Sequence, residues 1–175
     1  MGNDRVRGLA VRSMFAAFAI ILSYIEVLIP INLGVQGVKL GLANLIILLV
    51  LYNFTVKDAL LINIVRVAVI GLLFGNVFSI LFSMTGAVIS LFFMWIAKKC
   101  RFHMIVVSVI GGITHNIGQL LIAARMVGSY YIIHYIPITF IAGFIAGLVI
   151  GLIAFILNER LKDTLKKGVR NDIIY

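Results

Sequence analysis

The sequence predicts an all-α membrane protein: a compact bundle of six transmembrane helices with both termini in the cytoplasm. Three observations carry that prediction. The 175 residues are 63% hydrophobic and 12% charged, where an ordinary soluble domain carries about 25% charge. The apolar residues fall into six segments with short connections, most of them near the ~20 residues that a bilayer core requires. Lys and Arg gather at alternate ends of those segments, as the positive-inside rule describes. The whole chain, 1–175, therefore reads as a single integral membrane domain, with no linker and no repeat.

The elements follow in order. The first span, 9–30, comes after Arg5, Arg7 and Arg12 and stops at Pro30, a residue that cannot continue a helix. A signal peptide begins the same way, but the apolar run from Ser13 is too long and no small-residue cleavage site follows. The second span, 40–54, is short, so it starts within the outer leaflet or is shielded by protein. The third, 58–75, carries Asn63 and Arg66. The fourth, 77–97, ends in Lys98 and Lys99. The fifth, 104–127, contains the run GGITHNIGQL, and the sixth is 136–157. Beyond it, 158–175 is a basic cytoplasmic tail whose alternating charge predicts a short interfacial helix.

With the N-terminus inside, three of the 15 Lys and Arg fall elsewhere than the cytoplasmic face: Lys39, Arg66 and Arg125. The net charge of +9, which in a soluble protein suggests nucleic acid, is thus explained by topology, and no nucleic-acid partner is expected. One cysteine, Cys100, excludes an internal disulfide.

Polar groups at membrane depth are costly and usually face a protein interior or a wet cavity. Arg66 lies about eight residues into the third span, roughly 12 Å deep at 1.5 Å per residue. Asn63 shares its face, and His115, Asn116 and Gln119 share a face of the fifth span. Opposed, these faces would form a pocket in the middle and outer part of the bundle. Lys39, Asn44, Arg66, His115, Asn116 and Gln119 are the candidate ligand-binding residues, with Glu26, Asn63 and Asn76 as further candidates. Arginine suits phosphate or carboxylate through its paired donors, so the expected ligand is anionic or amphipathic. Two plainer readings stand beside this one: amides and His bond across membrane helices at about 0.6 kcal/mol each, and Glu26 could pair with Arg66 as a structural bridge. Lys39 and Arg125 also fit interfacial anchors.

Gly34, Gly37 and Gly41 flank Lys39 in a loop that glycine lets approach helices or a ligand closely. Ser13 and Ala17 form a small-xxx-small pair on the first span, with Ala16 beside them. Gly143, Gly147 and Gly151 form another row on the sixth, which is expected to pack within the bundle. There is no nucleotide-binding GxxxxGK[ST] loop, no aspartate cluster to hold magnesium on a diphosphate, no metal-ligand set around His115 and no nucleophile–base pair. The chain alone is not expected to be an enzyme, and no cofactor or metal is implied.

The stretches VKLGLANLI (38–46), GLLFGNVFSILFSMTGAVISL (71–91) and GGITHNIGQL (111–120) resemble the family described as heptaprenyl diphosphate synthase component I, also called the Gx transporter family. That family is similar in turn to the substrate-binding S-components of energy-coupling factor (ECF) transporters. The resemblance implies a multi-pass protein of a bacterial cell membrane, capturing a vitamin-like small molecule from outside. A membrane T-component and ATPase subunits would be its partners. It also implies a gate in the loop of Gly34 and Gly37, and a T-component contact at Ser13, Ala16 and Ala17, although no AxxxA occurs there. The family description implies a different role: an accessory subunit of a polyprenyl diphosphate synthase in quinone biosynthesis. A stand-alone secondary transporter is the third reading.

Overall fold

Six helices follow one another in the computed structural model, which describes residues 2–29, 41–128 and 134–168. They are α1 (Gly2–Leu28), α2 (Leu42–Asn53), α3 (Val56–Phe74), α4 (Val77–Lys99), α5 (Met104–Val127) and α6 (Ile136–Gly168), with no strand among the described residues. Local chemistry sets several boundaries. Thr55 and Asp58 form a capping box at the start of α3, each side chain meeting the other's backbone N–H at 3.2 Å. The Asn76 side chain accepts from the Ser79 N–H at 2.8 Å and starts α4. Gly128, at φ +67°, closes α5 in the left-handed conformation that glycine tolerates.

The chain runs up and down, so one end of the bundle collects the basic residues. Arg12 pairs with Asp58 at 3.2 Å, joining α1 to α3. Lys98 donates to the Leu51 carbonyl at 2.6 Å, placing a cation on the C-terminal carbonyls of α2, where the helix dipole favours it. The amide of Asn53 donates to the Asn158 side-chain oxygen at 2.7 Å, tying α2 to α6.

Helix α2 is the centre. Twelve residues make it about 18 Å long at 1.5 Å per residue, well short of a ~30 Å hydrocarbon core. It is enclosed by α1, α3, α5 and α6, and Ile46 to Leu51 are all buried. Its shortness is thus accommodated by protein, not lipid. Around it run α1, α3, α4, α5 and α6, each packed on the next in that order. Their outer faces carry large exposed apolar side chains such as Phe18, Leu61, Phe92 and Ile145. That inverted arrangement requires an apolar surround. Four helices are long and apolar enough to cross a membrane: Val6–Leu28, Val77–Lys99, Met104–Met126 and Ile136–Leu161. Helix α3 is of spanning length but carries Lys57, Asp58 and Arg66.

The α5–α6 contact is built on glycine. A Cβ on Gly147 would come within 2.6 Å of the Val109 Cα, and one on Gly143 within 2.7 Å of the Gly112 carbonyl oxygen. The backbones touch, so the small-residue row of α6 is spent inside the bundle. At the other end of α6 the structure departs from expectation. The separate interfacial helix expected after Asn158 is instead a continuation of α6, unbroken to Gly168. Helix α1 likewise begins at Gly2, seven residues before the expected start.

Candidate functional site

Arg66 organises the end of the bundle opposite the basic residues. It lies on the inner face of α3 and is 7% exposed. Its Nε donates to the Asn63 Oδ1 at 2.7 Å, one Nη to the Ser23 Oγ at 3.3 Å and the other to the Asn44 Oδ1 at 3.5 Å. Asn63 is held in turn by donating to the Ala87 carbonyl of α4 at 3.2 Å. All three acceptors are neutral. A guanidinium has five N–H donors, so two have no acceptor among the described residues, beside a cavity that Arg66 lines.

Glu26 lines the same cavity, but Arg66 has no ion pair with it within 4.0 Å. The Glu26 carboxylate instead accepts from the Leu42 backbone N–H at 2.7 Å. It caps the first turn of α2 from the neighbouring helix, satisfying a donor that the helix itself leaves orphaned. The preceding residue, Gly41, has φ +75°, a conformation that lets α2 start abruptly at the cavity wall. The two charges thus share the cavity without direct contact, and Glu26 is the charge that acts on Arg66 across it.

The cavity is small, with room of about 50 Å³ for the centres of water-sized groups. Helices α1 to α5 all contribute to its wall. Ser23 and Glu26 come from α1, Asn44 from α2, Arg66 from α3, Ser79 and Ser83 from α4, and His115 from α5. Val27, Val67, Ile70 and Phe74 supply the apolar remainder. Such a surface can hold an anion at Arg66, give hydroxyl hydrogen bonds and cover an apolar body.

The structure brings Asn44, Arg66, His115 and Glu26 to this cavity. Asn116 and Gln119 do not line it. Asn116 is buried and donates to the Thr139 carbonyl of α6 at 3.0 Å, so it acts first as a link between helices. Gln119 is buried against Gly86 of α4, and its Nε2 has no hydrogen-bond partner. Asn63 positions Arg66 from behind, and Asn76 is an exposed helix cap. Lys39, Gly34 and Gly37 lie outside the described residues. Ser13 and Ala17 are exposed on α1, with Ala16 half-buried. Arg125 is exposed near the end of α5.

Sequence reasoning missed Ser23, Ser79 and Ser83. Their spacing held a signal. Ser23 and Glu26 are three apart, and Ser79 and Ser83 four apart, so each pair shares a helix face. Among the described residues there is no group of three or more His, Cys, Asp or Glu able to hold a metal ion.

No curated protein and no solved structure matched the chain. A sequence model of one family does match, and it covers residues 15–157, from the middle of α1 to the last apolar turn of α6. That interval contains α2 to α5 whole, the greater part of α6, the second half of α1 and every residue that lines the cavity. The chain belongs to the heptaprenyl diphosphate synthase component I family.

Proposed function

We propose that this protein is a non-catalytic membrane subunit that binds an anionic, amphipathic small molecule beside Arg66. One observation carries the reading: a buried guanidinium at a cavity, whose hydrogen-bond acceptors among the described residues are all neutral and leave two N–H donors unused. A buried charge needs a compensating one, and an entering phosphate or carboxylate supplies it in paired geometry. Lys39, Asn44 and His115 complete the proposed site, with the loop of Gly34 and Gly37 as its gate. Asn116 and Gln119 support it from the α5 seams.

The family description favours one setting for this subunit. It names a component of a heptaprenyl diphosphate synthase, so the catalytic partner would carry the magnesium chemistry and this chain the membrane site. A second setting has a different support. The positive-inside rule puts the basic end in the cytoplasm of a bacterial cell, and with it both termini. The cavity then faces outward, as a capture subunit for uptake requires. An ECF-type T-component and ATPases would be the partners in that setting, with exposed Ser13 and Ala17 as part of the contact.

Binding and setting are tested separately. Arg66→Gln keeps a hydrogen-bonding amide near the position of Nε, on a shorter side chain, and removes the charge. It is expected to lower affinity for an organic diphosphate at least tenfold, taking a charged hydrogen bond as about 1.5–3 kcal/mol, while the protein still elutes as a folded species. Unchanged affinity would refute the site. For the setting, the purified chain is added to the catalytic prenyl synthase component, and chain elongation is measured with and without it. Stimulation supports the accessory role; no stimulation, with co-purification of a T-component, supports uptake.

A further inference from the structure

The Arg66 cavity holds a second charge whose bonding capacity is only partly used. Glu26 lines it from α1, and the Leu42 N–H takes one carboxylate oxygen, Oε1. Among the described residues the other oxygen, Oε2, accepts no hydrogen bond and joins no ion pair. Arg66 has two N–H groups without an acceptor among the same residues. The two charges are also held at fixed heights. Arg66 is tied to α1 at Ser23 and to α2 at the Asn44 side chain. Glu26 lies three residues beyond Ser23 on α1, and its contact at Leu42 lies two residues before Asn44 on α2. At 1.5 Å per residue these offsets are about 4.5 Å and about 3 Å. Because α1 and α2 run in opposite directions, both offsets point to the same end of the bundle. The carboxylate therefore sits about one turn outward of the guanidinium's anchors.

We infer that this cavity takes a small zwitterion, with its carboxylate on Arg66 and its ammonium group on Glu26 Oε2. The inference rests on the anion reading of Arg66 and adds a cation to the ligand. Charge balance is the first argument. A lone anion would satisfy Arg66 but bring like charge beside Glu26, and uncompensated charge away from water is costly. A zwitterion adds no net charge and pairs both side chains. Spacing is the second. In an α-amino acid the nitrogen and the carboxyl carbon are about 2.5 Å apart, from the N–Cα and Cα–C bonds and the angle between them. That suits charges offset by about one helical turn, whereas a spacer of several methylenes overshoots them. Size is the third. One water needs about 10–15 Å³ of such room, so the 50 Å³ available takes about three to five small groups. An ammonium nitrogen, one carbon and a carboxylate fill that space, and Val67 and Ile70 on the wall can cover a small apolar substituent. The ligand class is an amino acid of about the size of alanine.

The test uses the full chain in lipid nanodiscs, with binding read by calorimetry. The probes are alanine, propanoate, which lacks only the ammonium group, and alaninamide, which lacks only the anion. Alanine is expected to bind at least tenfold tighter than either, because each analogue leaves one buried charge without its hydrogen-bonded partner. Glu26→Gln, which still offers an acceptor to the Leu42 N–H, should cut alanine binding at least tenfold and leave propanoate binding equal or stronger. Arg66→Gln should weaken alanine and propanoate alike. The wild-type comparison stands without any variant. If alanine binds no tighter than propanoate while Arg66→Gln still weakens an anion, the zwitterion is overturned and Arg66 remains an anion site. A preference for alanine that survives in Glu26→Gln overturns the place given to the ammonium group. If Arg66→Gln changes binding of no probe, or if neither these probes nor an organic diphosphate binds the wild-type protein, both readings fall.

Discussion

Replacing Gly147 with alanine adds one methyl group, and the structure says where it goes. The new Cβ would sit 2.6 Å from the Val109 Cα and 2.8 Å from the Ser108 carbonyl oxygen. Carbon atoms in contact prefer about 3.5–4.0 Å, so α5 and α6 must part by roughly 1 Å. Both obstacles are backbone, so no side chain can rotate away. A gap of ~0.5–1 Å forfeits a quarter to a half of each dispersion contact along the seam. Apolar burial does not compensate for it, because membrane helices associate by packing and not by a hydrophobic drive. Overpacking in a filled core costs about 1–3 kcal/mol. At roughly 2–4 °C per kcal/mol for a chain of this length, Gly147→Ala should lower Tm by about 2–12 °C. The assay is thermal unfolding of the detergent-solubilised protein, followed by a thiol-reactive dye or by light scattering. A variant as stable as the wild type would refute the backbone contact.

Other perturbations separate causes that look alike in sequence. Gly128→Ala meets nothing within 4 Å, yet its φ of +67° should cost about 1–2 kcal/mol of strain; a Tm equal to wild type would show that α5 ends differently. Glu26→Gln keeps an acceptor for the Leu42 N–H but removes a negative charge from the cavity, so anion affinity should rise about threefold for each ~0.7 kcal/mol of repulsion relieved; weaker binding in a calorimetric titration would mean that the carboxylate contacts the ligand directly. Cys100, the single cysteine, is exposed at the basic end, so a membrane-impermeant maleimide should label it in permeabilised but not in intact cells; labelling of intact cells would invert the topology.

Much of the fold was legible because a membrane imposes a length and an apolar character on each crossing helix. Six apolar segments therefore became six helices. What was not legible were the ends that lie outside that constraint. Helix α6 runs on past Asn158 because Glu159, Arg160, Leu161 and Lys162 are good helix formers, and nothing in the sequence breaks the helix before Gly168. Hydropathy drops there, but helix propensity does not. Helix α1 starts early because Asp4, Arg5 and Arg7 are polar yet compatible with a helix, so the hydropathy boundary and the backbone boundary separate.

The site divides along a similar line. A charge at membrane depth announces itself, so Arg66 and the polar groups nearest it were readable from spacing alone. The three polar residues of α5 were grouped as one face, and packing distributes them. His115 and Asn116 are successive residues, about 100° apart around the helix, so one turns to the Arg66 cavity and the other to Thr139 of α6. Gln119 lies a turn beyond His115, where Gly86 lets α4 come close and leaves it inside the α4–α5 seam. The glycines decide this outcome, because each lets a neighbouring helix approach and fixes which face of α5 is covered. A sequence displays the glycines but not the helices they admit. The same logic explains why Glu26 and Arg66, the obvious ion pair, are not one. The N-terminus of α2 reaches the cavity because Gly41 permits the turn, and its Leu42 N–H takes the carboxylate. Among the described residues Arg66 keeps neutral hydrogen-bond acceptors, with Glu26 acting on it across the cavity. A bundle that needed only stability would gain by pairing those charges. Keeping them apart around an open cavity favours a cation held for something that enters.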